Sequence, residues 1–151
     1  MSSADPSMQY VSPRNDETEV YFLLLSELHT GADIRALIGC TVGSIIEKGK
    51  PRHPRTPHLL EPRHGLKLSA TPPSVLPLEA HLRALMELLT PHAAALRSLR
   101  GVIEQDLVCV CYTPHPNLPL HFPQDIASFF GQLECEWYLD LYWLGQGEEN
   151  R

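Results

Sequence analysis

Eight apolar side chains between residues 78 and 99 fall on one helical stripe. Leu78, Leu82, Leu85, Met86, Leu89, Ala93, Leu96 and Leu99 sit at offsets of 0, 4, 7, 8, 11, 15, 18 and 21, a period of 3.6. A helix this long with one apolar face must bury that face against a second layer. Pro77 suits the first helical position, where its missing N–H costs nothing. Pro91 removes an internal hydrogen bond, and Thr90 before it can cap a fresh start. The stripe therefore predicts a kinked helix or two abutting helices, ending at Gly101.

The second layer is written in alternating segments. Glu19–Leu28 is largely apolar on both faces, which predicts a central strand covered on both sides or nearly so. Thr30 and Asp33 mark the start of a short helix with Ile34, Leu37 and Ile38 as its stripe and Gly39 as its stop. Seven prolines between 51 and 77 deny donors to a regular ladder, and only His64–Ala70 alternates there, as a short peripheral strand. Leu107–Tyr112 reads as a strand with Cys109 and Cys111 on one face. Leu118–Phe122 reads as a short strand pairing back, and Pro123 opens a helix bearing Ile126, Phe129, Phe130 and Leu133. In Glu134–Leu144, Cys135, Trp137, Leu139, Leu141 and Trp143 alternate toward the core. Glu134, Glu136, Tyr138, Asp140 and Tyr142 point the other way. The expected fold is an α+β two-layer sandwich. It has a mixed or antiparallel sheet of four to five strands, helices on one face and a ferredoxin-like arrangement.

At 151 residues the chain has room for one domain. The expected division is a disordered leader (1–18), a domain (19–144) holding a proline-rich basic loop (50–77), and a flexible tail (145–151). The net charge of −6 is unevenly placed. Residues 101–150 carry eight acidic residues and no Lys or Arg, whereas Lys48, Lys50, Arg52, Arg55, Arg63 and Lys67 face only Glu61. The two regions either attract each other or form a polar binding face. The acidic balance argues against a nucleic-acid partner, and no run of 18 apolar residues spans a membrane. Residues 1–17 lack the basic and apolar regions of an export signal, so the expectation is a cytoplasmic protein with reduced thiols at Cys40, Cys109, Cys111 and Cys135.

Two surfaces carry candidate chemistry. The first is the acidic, tyrosine-bearing face of the last strand: Glu134, Glu136, Tyr138, Asp140 and Tyr142. Tyrosine anchors among charges suit a protein interface, and neighbouring carboxylates there can couple their titrations. The second is a pocket beside the proline-rich loop, with Lys48, Arg52, Arg55, His58 and His64 as ligand-binding groups. His53, His58 and His64 lack the close pairing of zinc ligands and stand among arginines, so no metal or cofactor is expected. The Lys48-Gly49-Lys50 run is not followed by the Lys-Ser/Thr of a P-loop. Cys109 and Cys111 lie in a stretch with no cation to favour a thiolate.

An opening apolar strand precedes a helix ending Leu37-Ile38-Gly39, then Lys48-Gly49. The leucine-rich helix running from Leu82 to Pro91 follows, then the closing Leu139-Asp140-Leu141-Tyr142. This pattern, over residues 19–144, resembles the bacterial domain of unknown function 4279 family. The family pattern carries a tryptophan in its middle strand where this chain reads His64-Gly65-Leu66-Lys67-Leu68. The resemblance implies no established reaction and points toward immunity or partner binding. The expected function is a non-enzymatic protein-binding module acting through the acidic face, its partner another protein or a second copy. The alternative is an enzyme or small-ligand domain using the loop pocket.

Overall fold

A computed structural model describes residues 17–115 and 117–144. Five strands form one sheet: β1 (Thr18–Ser26), β2 (Ser44–Ile46), β3 (His64–Leu68), β4 (Glu104–Thr113) and β5 (Glu136–Trp143). Their spatial order is β2-β3-β1-β4-β5, antiparallel throughout except for the parallel β4–β5 pair. Among the described residues the helices are α1 (Gly31–Ile38), α2 (Leu78–Leu89), α3 (Ala93–Ser98) and α4 (Gln124–Leu133). The run from β1 to β4 is compatible with a ferredoxin-like arrangement. Helix α4 and strand β5 extend it, the crossover that a parallel pair requires. Most of the expected leader and all of the expected tail lie outside the described residues, but Thr18 is already in β1.

The helices lie on one face of the sheet. Val20, Phe22 and Leu24 of β1, Leu66 and Leu68 of β3, and Leu107, Cys109 and Cys111 of β4 are buried there. They share one core with Ile34 and Ile38 of α1, Leu82, Leu85 and Leu89 of α2, Leu96 of α3, and Ile126, Phe130 and Leu133 of α4. The opposite face of β1 carries Tyr21, Leu23 and Leu25, half-buried with no helix over them. The strand is central, as its sequence implies, but among the described residues helices cover only one of its faces.

Local signals act as expected at several places. Thr30 Oγ1 accepts from the Asp33 N–H at 3.1 Å, and Asp33 accepts from the Thr30 N–H at 3.3 Å, a reciprocal cap. Gly39 closes α1 in the left-handed region at φ 69°. Thr30→Ala should destabilise the protein by about 1 kcal/mol in denaturant titration, the usual worth of such a cap; no change would mean the cap is not formed. The long stripe breaks at Pro91 into α2, one 3₁₀ turn (Thr90–His92) and α3. Thr90 does not cap the new start; its hydroxyl donates back to the Met86 carbonyl at 2.6 Å. Pro77 is the N-cap of α2, one residue before its first turn.

Other expectations are corrected. Leu37 is exposed, because this eight-residue helix turns only Gly31, Ile34 and Ile38 inward. Residues 44–46, read as loop, pair with β3 as an edge strand, so β3 is not at the periphery. The proline-rich stretch is folded back on itself: Arg52 N donates to Leu59 O at 2.8 Å and Glu61 N to Lys50 O at 2.8 Å. Leu118–Phe122 forms no strand; Leu118, Leu120 and Phe122 instead pack on the core.

The last strand differs most from expectation. Trp137, Leu139, Leu141 and Trp143 do share the helix-side face, but they are 42%, 41%, 51% and 65% exposed. The helix layer does not reach across β5, the outermost strand. Trp137 alone of these is tied to α4, with its ring edge-on to Phe130 at 6.4 Å and tilted on Phe122 at 5.7 Å.

Candidate functional site

The open face of the sheet holds four of the five residues expected on the acidic face and, beside them, a cavity that takes in one of the expected loop residues, Arg52. Register places Asp106 opposite Glu136, Val108 opposite Tyr138, Val110 opposite Asp140 and Tyr112 opposite Tyr142 across β4 and β5. Glu136, Tyr138, Asp140 and Tyr142 therefore share this face, as the alternation requires. The Tyr112 and Tyr142 rings stack at 5.0 Å. Glu134 does not join them. It precedes the strand as the C-cap of α4, in the left-handed region at φ 53°, and pairs with Arg100 at 2.7 Å. The alternation counted it in, but β5 begins only at Glu136, two residues later.

The central group of the acidic half is one that sequence reasoning missed. Glu104, Gln105 and Asp106 look like polar residues preceding a strand, but β4 begins at Glu104. Asp106 is consequently held in the sheet between Leu23 and Glu136 and is only 3% exposed. Its Oδ1 has no hydrogen-bond partner among the described residues. Burial, then the hydrogen bond and charge of Glu104, push its carboxyl up to about 7. Arg63 donates to Glu104 at 3.2 Å and holds that carboxylate below its ordinary range. The outcome is a carboxyl pair with its two acidities driven apart. Tyr138 stands beside it, and the Asp106 charge raises its hydroxyl above the usual phenol range.

The basic half adjoins it over β1 and β3. A cavity of about 350 Å³ opens there, floored by Leu23, Leu25 and Ile46, walled by Tyr21 and rimmed by Arg52, Arg63 and Lys67. Of the loop residues expected to bind a ligand, Arg52 lines this cavity. Lys48, Arg55, His58 and His64 are not among its walls. The His64 imidazole instead accepts the Lys48 N–H at 3.2 Å, and Arg55 and His58 are exposed on the loop. Arg63 and Lys67, not among the residues expected to bind a ligand, are brought beside Arg52 by the pairing of β3.

The charge asymmetry of the sequence resolves in part into attraction. Arg63–Glu104, Arg83–Asp125 and Arg100–Glu134 join the basic first part to the acidic last part at 3.2, 2.7 and 2.7 Å. All three are substantially exposed, so each contributes little to stability. Glu136 and Asp140 have no such ion-pair partner among the described residues, and they keep the acidic half negative.

Other chemistry is not assembled here. Burial pushes the Cys109 thiol up to about 12 and the Cys135 thiol up to about 11, far from thiolate. Among the described residues no group of three or more His, Cys, Asp or Glu side chains is placed to hold a metal ion. His81 is buried, taken up by Thr71 Oγ1 at 2.8 Å and Ser74 Oγ at 3.1 Å, and burial lowers its pKa. No helix among the described residues is long and apolar enough to cross a membrane.

No curated protein and no solved structure matches the chain significantly. A family match covers residues 16–144, the whole of the sheet and helix layer described above. The chain belongs to the family described as domain of unknown function DUF4279.

Proposed function

We propose that this chain is a protein-recognition module that takes an extended segment of its partner along β5. The observation that carries this reading is the state of that strand. Its eight residues are all exposed, and no strand lies beyond it among the described residues. Over about 26 Å, alternate backbone N–H and C=O groups point outward, the arrangement used in strand addition. Long exposed edges are usually guarded by charged side chains, above all lysine, or by proline or a bulge; Glu136–Trp143 holds no lysine or proline, and its charges are the carboxylates of Glu136 and Asp140.

Charge selects the partner. Glu136 and Asp140 would lie opposite the incoming strand on the open face, where a carboxylate is unfavourable and a Lys or Arg favourable. On the helix side Leu139, Leu141 and Trp143 offer apolar contact. The fitting partner segment alternates basic and apolar residues. A basic toxin held by its immunity protein is one such pair. A second copy fits only in a register that keeps the two Asp140 side chains apart.

The test is a paired substitution, Glu136→Lys with Tyr138→Ala. Both sites are exposed, so the fold should be unchanged by circular dichroism. Affinity for the partner captured by the native chain should fall at least tenfold, about 1.4 kcal/mol. Unchanged affinity would overturn the reading. Light scattering of the isolated chain distinguishes a second copy from a different partner.

A further inference from the structure

The cavity on the basic half of the open face lies outside the β5 surface. Its floor is apolar: Leu23 and Leu25 project from the central strand and Ile46 from the edge strand. Small-ligand sites are commonly concave and mainly apolar, with a few converging polar groups, in the range of about 300–1,000 Å³. At about 350 Å³ this one is at the small end.

The polar groups at its rim are mostly of one sign. Arg52, Arg63 and Lys67 line it against a single carboxylate, Glu61. The carboxylates that pair with Arg63 and Lys67, namely Glu104 and Glu19, are not among the lining residues. Arg52 stands 3.8 Å from Glu61, beyond good hydrogen-bond length, with its side chain 56% exposed. A guanidinium has five N–H donors in a planar fork. Arg63 directs one hydrogen bond to Glu104, and its remaining donors are available to a planar anion. Lys67 lies over the Tyr21 ring at 4.2 Å, which fixes its ammonium beside the apolar floor.

We propose that this cavity binds a small amphipathic anion, a carboxylate joined to a short apolar body. The body lies on Leu23, Leu25 and Ile46, and the carboxylate is held by Arg63 and Lys67 with Arg52 closing over it. A neutral or cationic molecule of the same body gains the floor but not the rim. A fully polar anion gains the rim but leaves the floor wet.

The probes are octanoate and octylammonium, which share a body and differ in charge. Each is titrated into the ¹⁵N-labelled full chain and followed by amide chemical shifts. Octanoate should give saturable shifts at Leu23, Leu25, Gly65 and Lys67, and octylammonium should not. Arg63→Met with Lys67→Met should weaken octanoate at least tenfold. Because those two cations also serve Glu104 and Glu19, Arg52→Glu on the exposed loop is the second variant, expected to weaken octanoate several-fold with the spectrum otherwise retained. Absence of saturation at millimolar octanoate, equal shifts with octylammonium, shifts centred on β5, or unaltered affinity in Arg52→Glu would each overturn the proposal.

Discussion

Replacing Phe130 with alanine is expected to cost about 3–5 kcal/mol, the range for deleting a buried aromatic ring. Phe130 is fully buried on α4. Its ring stands 6.5 Å from Phe22 of the central strand, 5.1 Å edge-on from Phe129 and 6.4 Å edge-on from Trp137 of β5. One side chain thus joins the helix layer, the middle of the sheet and its outermost strand. The space left cannot collapse readily, because α4 is tied at both ends, by Ile126 and Leu133 in the same core. A domain of this size has roughly 5–15 kcal/mol of stability in all, so the loss should appear as a large shift in the denaturation midpoint. Trp137 fluorescence should report it as well, since that indole loses its aromatic neighbour. A cost below about 1 kcal/mol would mean that α4 is not packed on the sheet as described.

The second large effect concerns Asp106. Asp106→Asn should stabilise the protein at pH 8 by on the order of 2–3 kcal/mol, and by little at pH 4. The sign follows from where the proton sits. In the folded chain burial and Glu104 keep the carboxyl protonated up to about 7, against an ordinary value of 3.8. Between these values the folded state binds more protons than the unfolded one. The contribution of Asp106 is therefore fully present below the ordinary value and is lost as pH rises through about 7. Asparagine keeps a donor toward Glu104 and never ionises, so it avoids the loss. Glu104 and His81 act in the opposite sense: pairing with Arg63 lowers one and burial lowers the other, so both lose stability as pH falls. The variant and the native chain share His81, and their difference across pH reports the Asp106–Glu104 pair. Parallel stability curves from pH 4 to 8 would show that Asp106 is not held out of water.

These two residues illustrate what is legible in a chain of this kind. Phe130 was readable: Ile126, Phe129, Phe130 and Leu133 follow Pro123 at helical spacing, and three of the four are fully buried or nearly so. Asp106 was not. Nothing in Glu104-Gln105-Asp106 reveals that the ladder with β1 extends so far, and the cross-strand neighbours of Asp106, Leu23 and Glu136, are distant in sequence. The tyrosine-bearing face was legible as far as strand alternation reaches, giving Glu136, Tyr138, Asp140 and Tyr142 but misplacing Glu134. Of the loop residues expected to bind a ligand, Arg52 alone lines the cavity on the open face; Arg63 and Lys67, its other two cations, were not among them.

The sequence by itself determined the elements and their caps: the broken stripe of α2 and α3, the reciprocal Thr30–Asp33 cap, and the doubly apolar central strand. These depend on hydrogen bonds and periodicities that close within a few residues. Tertiary structure alone decided the strand order, the parallel seating of β5 beside β4, and the reach of the helix layer. Alternation states which side chains share a face but not whether anything covers it. For that reason the apolar row of β5 could be read correctly as a row and incorrectly as core. The same distinction places the acidic edge and the cation-rimmed cavity next to each other on one open face, a proximity made only by pairing across the sheet.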